Sequence, residues 1–145
     1  MYAIKKIVRA TVLGTVAVST AALGAFVPSA PAAAAPTAWG ACAEGNVCFY
    51  TGFDGTGSKC TFPVADRDWT QAPLVCSWSQ TTNVKSVWNN GTSPNFTGVA
   101  YYQWNNMVEK DRKGCTLQGK RGDLAGTYKL KSHQWVDGPC AGVGR

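Results

Sequence analysis

Six cysteines are the residues of this 145-residue chain whose number and spacing point most directly to chemistry. An even cysteine count in a small exported protein is typical of a disulfide framework, in which each bridge contributes about 2–4 kcal/mol. Zinc binding is disfavoured, because the chain has no C-x₂₋₄-C pair and a single histidine, His133. Spacing alone leaves the connectivity open. We expect three sequential disulfides, Cys42–Cys48, Cys60–Cys76 and Cys115–Cys140.

Candidate catalytic residues are few. The chain has no Gly-x-Ser-x-Gly, His-Glu-x-x-His or Walker pattern, and His133 follows Ser132 without a further residue at triad spacing. We interpret His133 as a strand residue that faces solvent or a neighbouring side chain. Asp66 and Asp68 offer a carboxylate pair, but their place between Pro-Val-Ala and Trp69 is more typical of a polar loop. We therefore predict that the protein is not an enzyme and needs no cofactor.

The N-terminal segment has the three parts of a secretory signal. Lys5, Lys6 and Arg9 form a charged start, an apolar run occupies 10–27, and small residues occupy 29–35. A membrane anchor is the alternative. It is disfavoured because threonine, serine and glycine interrupt a run that is already short for a span of about 20 residues.

Residues 1–35 are thus predicted to be a signal peptide, cleaved between about positions 32 and 38, and residues 36–145 to be one secreted domain. Removing the three basic residues of the signal from 14 leaves 11 against 8 acidic ones, a net charge of +3. Nucleic acid is disfavoured as a partner, because export removes the usual nucleic acids and the chain has no recognition motif. We expect a monomer that has no membrane segment after cleavage.

The exported part has the pattern of an all-β domain. Its apolar residues lack helical periodicity, and short β-branched and aromatic runs alternate with Gly, Asn, Asp and Pro. Turns are predicted at 52–57, 89–91 and 119–122. The predicted strands are 47–51, 59–63, 84–89, 97–104, 114–118, 127–130 and 133–136.

An internal repeat accompanies these strands. The order aromatic, Cys-Thr-apolar, Lys-Ser occurs twice, although its spacings differ between the two copies. We interpret the copies as two units that share one core. They are represented by Tyr50, Cys60 and Lys85-Ser86 in the first unit and by Tyr102, Cys115 and Lys131-Ser132 in the second.

Three segments, CAEGNVCFY at 42–50, VKSVWNNG at 84–91 and KSHQW at 131–135, resemble the secreted actinobacterial peptidase inhibitors of inhibitor family 36. That family is similar in fold to the βγ-crystallins. The resemblance implies one disulfide-braced domain of two Greek keys, at about 42–91 and 97–140.

In the crystallin motif, an aromatic residue of the first strand precedes a folded hairpin with a second aromatic and a glycine, and a later serine bonds back to that hairpin. Tyr50, Gly57 and Ser86 correspond to the first aromatic, the glycine and the serine in the first unit. Gly55 stands at the place of the second aromatic, and Phe53 lies two residues earlier. In the second unit, the residues that match are Tyr102 and Ser132.

The resemblance also implies a function, the blocking of an extracellular protease by a rigid surface loop. A loop that is already rigid saves part of the ordering cost of binding. The resemblance implies that this loop lies on the segment connecting the two Greek keys or in the first hairpin of the second unit, just before Cys115. In that hairpin, Met107 and Val108 suit a thermolysin-like pocket and Arg112-Lys113 a trypsin-like one. An ordinary solvated hairpin is the alternative, and the short local disulfide of the family's metalloprotease inhibitors is missing. The expected contact residues are Trp104, Asn105, Asn106, Met107, Val108, Glu109, Arg112 and Lys113.

The resemblance to the βγ-crystallins raises two further possibilities, a calcium site and a different class of secreted protein. Many microbial βγ-crystallins bind calcium, but Lys85 and Lys131 occupy ligand positions here, so we predict no metal site. Six tryptophans, together with Tyr101, Tyr102 and a basic C-terminal part, could instead form the surface of a cell-wall polysaccharide-binding or killer-toxin-like antimicrobial protein. That class is the alternative to the inhibitor.

Overall fold

The computed structural model describes residues 39–140, and these form two antiparallel β-sheets, which confirms the all-β prediction. The predicted signal peptide, residues 1–35, and its cleavage region lie outside the described residues. Among the residues that are described, no helix is long and apolar enough to cross a membrane.

Within residues 39–140, seven strands make up the sheets, one with the order β2-β1-β3-β6 and the other with the order β5-β4-β7. The same residues contain three single 3₁₀ turns, which lie in the β1–β2 and β4–β5 hairpins: Phe53–Gly55, Asn105–Met107 and Glu109–Asp111. The strands are β1 Val47–Tyr50, β2 Lys59–Phe62, β3 Val84–Asn89, β4 Gly98–Tyr102, β5 Arg112–Leu117, β6 Arg121–Tyr128 and β7 Ser132–Val136.

The sixth strand differs most from the sequence prediction, which placed it at 127–130. It begins at Arg121, and the predicted turn at 119–122 is shorter, with Gly119 in the left-handed region at φ 71°. β6 is an edge strand whose residues alternate between exposed and partly buried. Its glycines, Gly122 and Gly126, leave the sequence without the β-branched run that normally indicates a strand.

The connectivity ties the two halves of the chain together. In each half, the first strand is flanked by the second and the last, so Tyr50 lies opposite Ser86 and Tyr102 lies opposite Ser132. β6 belongs to the second half but pairs with β3 in the first sheet. In exchange, an isolated bridge joins Asp66 to β7. This strand order is compatible with two Greek keys that share one core.

The core between the sheets is aromatic. Phe62 stacks on Trp69 with ring centroids 4.9 Å apart, and Phe49 lies 4.7 Å from Trp69. His133 lies fully buried in the same cluster, so of the two environments expected for it, the structure shows the neighbouring side chains. The indole Nε1 of Trp69 donates to His133 Nδ1 at 2.9 Å. Burial lowers the pKa of His133 to about 3, so the ring is neutral and its Nε2 donates to the Val64 carbonyl at 3.0 Å.

Three disulfides brace the sheets in sequential order, Cys42–Cys48, Cys60–Cys76 and Cys115–Cys140. The first joins the approach to β1 to β1 itself, the second joins β2 to the loop before β3, and the third joins β5 to the segment after β7. No three His, Cys, Asp or Glu side chains within residues 39–140 gather as metal ligands.

Candidate functional site

A serine of β3, Ser86, joins the two sides of the β1–β2 hairpin by hydrogen bonds to its backbone, an arrangement that we call a clip. Ser86 Oγ donates to the Gly52 carbonyl at 2.7 Å and accepts from the Gly55 amide at 2.9 Å. Gly57 has a φ of 78°, and a Cβ there would lie 2.5 Å from Thr51 Oγ1, so this turn requires glycine. The serine thus fixes both sides of the hairpin's 3₁₀ turn.

The β4–β5 hairpin has the same clip. Ser132 Oγ donates to the Trp104 carbonyl at 2.6 Å and accepts from the Met107 amide at 3.3 Å. Counted from Tyr50 and Tyr102, the two bonded positions have the same offsets in both units. The sequence comparison missed this equivalence, because Met107 stands where the first unit has glycine.

The lysine before each serine has a matching role. Lys85 Nζ lies 5.2 Å from the centroid of the Phe53 ring, and Lys131 Nζ lies 4.7 Å from that of Trp104. Both aromatic side chains are 50% exposed. Each Lys-Ser pair therefore holds a hairpin twice, by a cation–π contact on its aromatic side chain and by hydrogen bonds to its backbone. The repeated Lys-Ser was the sequence signal for this arrangement.

We call residues 104–109 the contact loop. It lacks a local disulfide, and backbone hydrogen bonds brace it instead. The Asn106 amide donates to the Arg67 carbonyl at 2.8 Å, which fixes the apex of the loop to the segment before Trp69. Gln103 N donates to Asp111 O at 3.0 Å and closes the loop's base.

The base of the loop is also fixed through side chains. Tyr102 is fully buried, and burial raises its pKa. Its hydroxyl accepts from Gln134 Nε2 at 2.7 Å and donates to Glu109 Oε2 at 3.4 Å. Arg112 Nη1 lies 3.1 Å from Glu109 Oε1. Glu109 is thereby held from two directions.

Asp66 and Asp68 serve the neighbouring segment as capping groups, as the sequence indicated. Asp66 Oδ1 accepts from the Asp68 amide at 2.8 Å, and Asp68 Oδ1 accepts from the Thr70 hydroxyl at 2.7 Å. The bond from Thr70 is the main reason why the pKa of Asp68 is lowered. Asn105 Nδ2 also reaches Asp68 Oδ2 at 3.5 Å. These carboxylates support the loop's position.

Exposure divides the predicted contact residues into two groups. Trp104, Asn105, Asn106, Val108 and Glu109 are exposed, and Met107 is partly buried. The Arg112 side chain is only 11% exposed and is paired with Glu109. Lys113 is partly buried, with its ammonium 5.5 Å from the Tyr128 ring centroid. The fold thus already engages Arg112 and Lys113, the two side chains expected to suit a trypsin-like pocket.

Two cavities border the contact loop. One, of about 600 Å³, is mainly apolar and is lined by Val64, Arg67, Phe96, Met107, Gln134 and Trp135. The other, of about 320 Å³, reaches Trp104 from the opposite end of the loop and contains amides, aromatic rings and lysines. Trp104 and Met107 thus each connect the loop to a neighbouring concave surface.

Comparison with known proteins identifies the class of protein. The model of peptidase inhibitor family I36 matches residues 35–110, so this chain belongs to that family. The matched region contains the first unit, β4 and the whole contact loop. Members of a peptidase inhibitor family are not catalytic, and the partner that the family implies is a protease. No curated protein and no solved structure matches the chain.

Proposed function

We propose that this protein is a secreted inhibitor that blocks an extracellular protease with its contact loop, residues 104–109. One observation carries the proposal: the loop is clipped at its centre by Ser132, while Trp104 and Val108 remain exposed at its two sides. Three disulfides suit the oxidising environment outside the cell.

Rigidity is the property that separates an inhibitor from a substrate. A loop whose conformation is set before binding loses little conformational freedom in the complex. Asn106 and Met107 have φ values of 69° and 56°, a left-handed conformation that costs a residue such as methionine about 1–2 kcal/mol. The conformation persists because the bonds to Ser132 and to the Arg67 carbonyl hold these residues in place.

The exposed side chains of the contact loop favour a target protease with an apolar specificity pocket. Trp104 is 50% exposed and Val108 is 41% exposed, and Met107 continues into the 600 Å³ cavity. Loop and cavity together form a continuous surface, and about 800 Å² per partner suffices for tight protease inhibition. We infer that a thermolysin-like or subtilisin-like enzyme is the target rather than a trypsin-like one.

The test is a titration of the oxidised protein against a thermolysin-like metalloprotease, subtilisin, trypsin and papain. We expect stoichiometric inhibition of an enzyme with an apolar pocket, and an intact inhibitor afterwards. Val108→Ser should weaken this inhibition about tenfold, since it removes one apolar contact from the loop.

Val75→Ser is the matched control, because Val75 is a 60% exposed valine outside the contact loop. It should leave inhibition unchanged. Equal weakening by both variants would contradict the placement of the site. Failure of the folded, oxidised protein to inhibit any of the four enzymes would contradict the proposed target classes.

A further inference from the structure

The 320 Å³ cavity beside Trp104 combines three kinds of chemistry. Trp104 and Tyr128 supply aromatic rings, Asn83 and Gln103 supply amides, and Lys129 and Lys131 supply two ammonium groups. No acidic side chain lines it. Its volume lies in the range of sites for small organic ligands, about 300–1,000 Å³.

From this combination we infer a binding site for an acidic saccharide, one that carries carboxylate or phosphate groups. The inference does not rest on protease inhibition. Aromatic rings are large apolar surfaces on which the C–H face of a sugar ring can stack. Side-chain amides both donate and accept hydrogen bonds, as a row of hydroxyls requires. The lysines then select an anionic ligand over a neutral one.

The lysines are available for this role. Within residues 39–140 the single ion pair joins Arg112 to Glu109, so neither Lys129 nor Lys131 is paired with a carboxylate. The pKa of Asp68 is lowered mainly by its hydrogen bonds with Thr70 and least by Lys131, and no ion pair joins Asp68 to this lysine. A ligand anion would therefore meet two positive charges that have no ionic partner there.

The remaining polar groups are pre-positioned. Asn83 Nδ2 donates to Thr127 Oγ1 at 3.2 Å, which fixes the amide and leaves its carbonyl oxygen to accept from a ligand. Lys131 lies against the Trp104 ring, so the ring and one ammonium are held together before binding. The positions of a stacking ring, an acceptor and a cation are thus set by the protein.

The experiment measures binding of trigalacturonate, which carries carboxylates, and of phosphorylated maltotriose, which carries phosphate, to the oxidised protein by calorimetry at about 0.15 M salt, where long-range attraction is screened. Chitotriose is the neutral comparison. We expect one of the acidic ligands to bind at least tenfold more tightly than chitotriose, and the better of the two identifies the anionic group.

Lys129→Gln should weaken that binding about fivefold or more and leave protease inhibition unchanged. Lys120→Gln is the matched control, an exposed lysine in the β5–β6 turn with the same loss of charge. It should have no effect. Equal weakening by the two variants, binding that Lys129→Gln does not alter, or equal affinity for chitotriose would each overturn the inference.

Discussion

The two hairpins of this protein share a clip but differ in what covers them. In the first, the Gly40 amide donates to the Gly55 carbonyl at 2.9 Å, and the Trp39 ring fills the space beside Gly55. A Cβ at Gly55 would lie 2.6 Å from that ring. In the second, Met107 takes the equivalent position and its side chain borders an open cavity. The first hairpin is covered by residues of its own chain, while the equivalent position in the second borders open space.

Further side chains cover the first hairpin beside Trp39. The Arg121 guanidinium lies over two tryptophan rings, 5.2 Å from the ring centroid of Trp39 and 4.8 Å from that of Trp88. Trp39 also packs edge-on against buried Tyr50. The same serine clip thus serves stability in the first unit and, by our proposal, recognition of the protease in the second. Changing equivalent residues in the two units is therefore the sharpest way to separate these roles.

The largest expected effect is on acid stability and concerns His133, whose counterpart in the first unit is Val87. The pKa of His133 is about 3 in the folded protein and is ordinarily 6.5, so below pH 6.5 the unfolded chain binds the extra proton. Stability should fall as pH is lowered, by on the order of 2–3 kcal/mol between about pH 6.5 and 4.5. Urea unfolding at several pH values measures this.

His133→Gln supplies the control for that measurement. Glutamine accepts from Trp69 and donates to Val64 without titrating, so the variant should lose most of the pH dependence in this range even if it is less stable at pH 7. A pH dependence that the variant retains in full would show that other groups cause it.

The next largest effect concerns the clips themselves. Ser132→Ala removes the partner of the Met107 amide and the Trp104 carbonyl, and should cost about 1–3 kcal/mol of stability. Ser86→Ala should cost a similar amount. Inhibition should weaken tenfold or more in Ser132→Ala alone. Equal effects of the two variants on the inhibition constant would contradict the division of roles.

Substitution of the two left-handed residues, Gly55 and Met107, should have an effect no larger than that of the serine variants. Gly55→Ala should destabilise the protein by about 1–3 kcal/mol, because of its φ of 69° and the contact with Trp39. Met107→Gly should change stability by less than about 1 kcal/mol, since relief at a φ of 56° offsets the greater chain entropy. Thermal unfolding measures both changes. Only Met107→Gly should weaken inhibition, and full inhibition by that variant would exclude Met107 from the contact.

The smallest effect on stability is expected for Phe53 and Trp104, the two exposed aromatic side chains that each contact a lysine ammonium. Phe53→Ala and Trp104→Ala should each lose a cation–π contact of about 0.5–1 kcal/mol. Despite similar stability, Trp104→Ala should inhibit its target at least tenfold less well, whereas Phe53→Ala should inhibit as the unchanged protein does. The paired inhibition constants decide between these outcomes.

The sequence supported much of this fold because its repeat marks structural roles. Tyr50 and Ser86, like Tyr102 and Ser132, are paired across neighbouring strands, as the repeated order of residues indicated. Tyr and Ser are needed there because one is buried beside the clip and the other forms it. The early start of β6 could not be predicted, since its alternating glycines and polar residues resemble a turn.

The details of the contact loop were less accessible. The second clip could not be recognised from the sequence, because Met107 occupies its left-handed position and such a position is normally indicated by glycine. The burial of His133 depends on which side of the strand faces the other sheet, which a strand buried on both sides does not reveal. The ion pair between Arg112 and Glu109 depends on the fold of the loop and has no signal in the sequence.

The central claim is that the second hairpin, and not the first, contacts the protease. Amide hydrogen exchange of the inhibitor, measured alone and in stoichiometric complex with the inhibited enzyme, tests it most directly. We predict slower exchange on binding at residues 103–111 and unchanged exchange at residues 51–58. Protection of 51–58, or of neither hairpin in a tight complex, would contradict the claim.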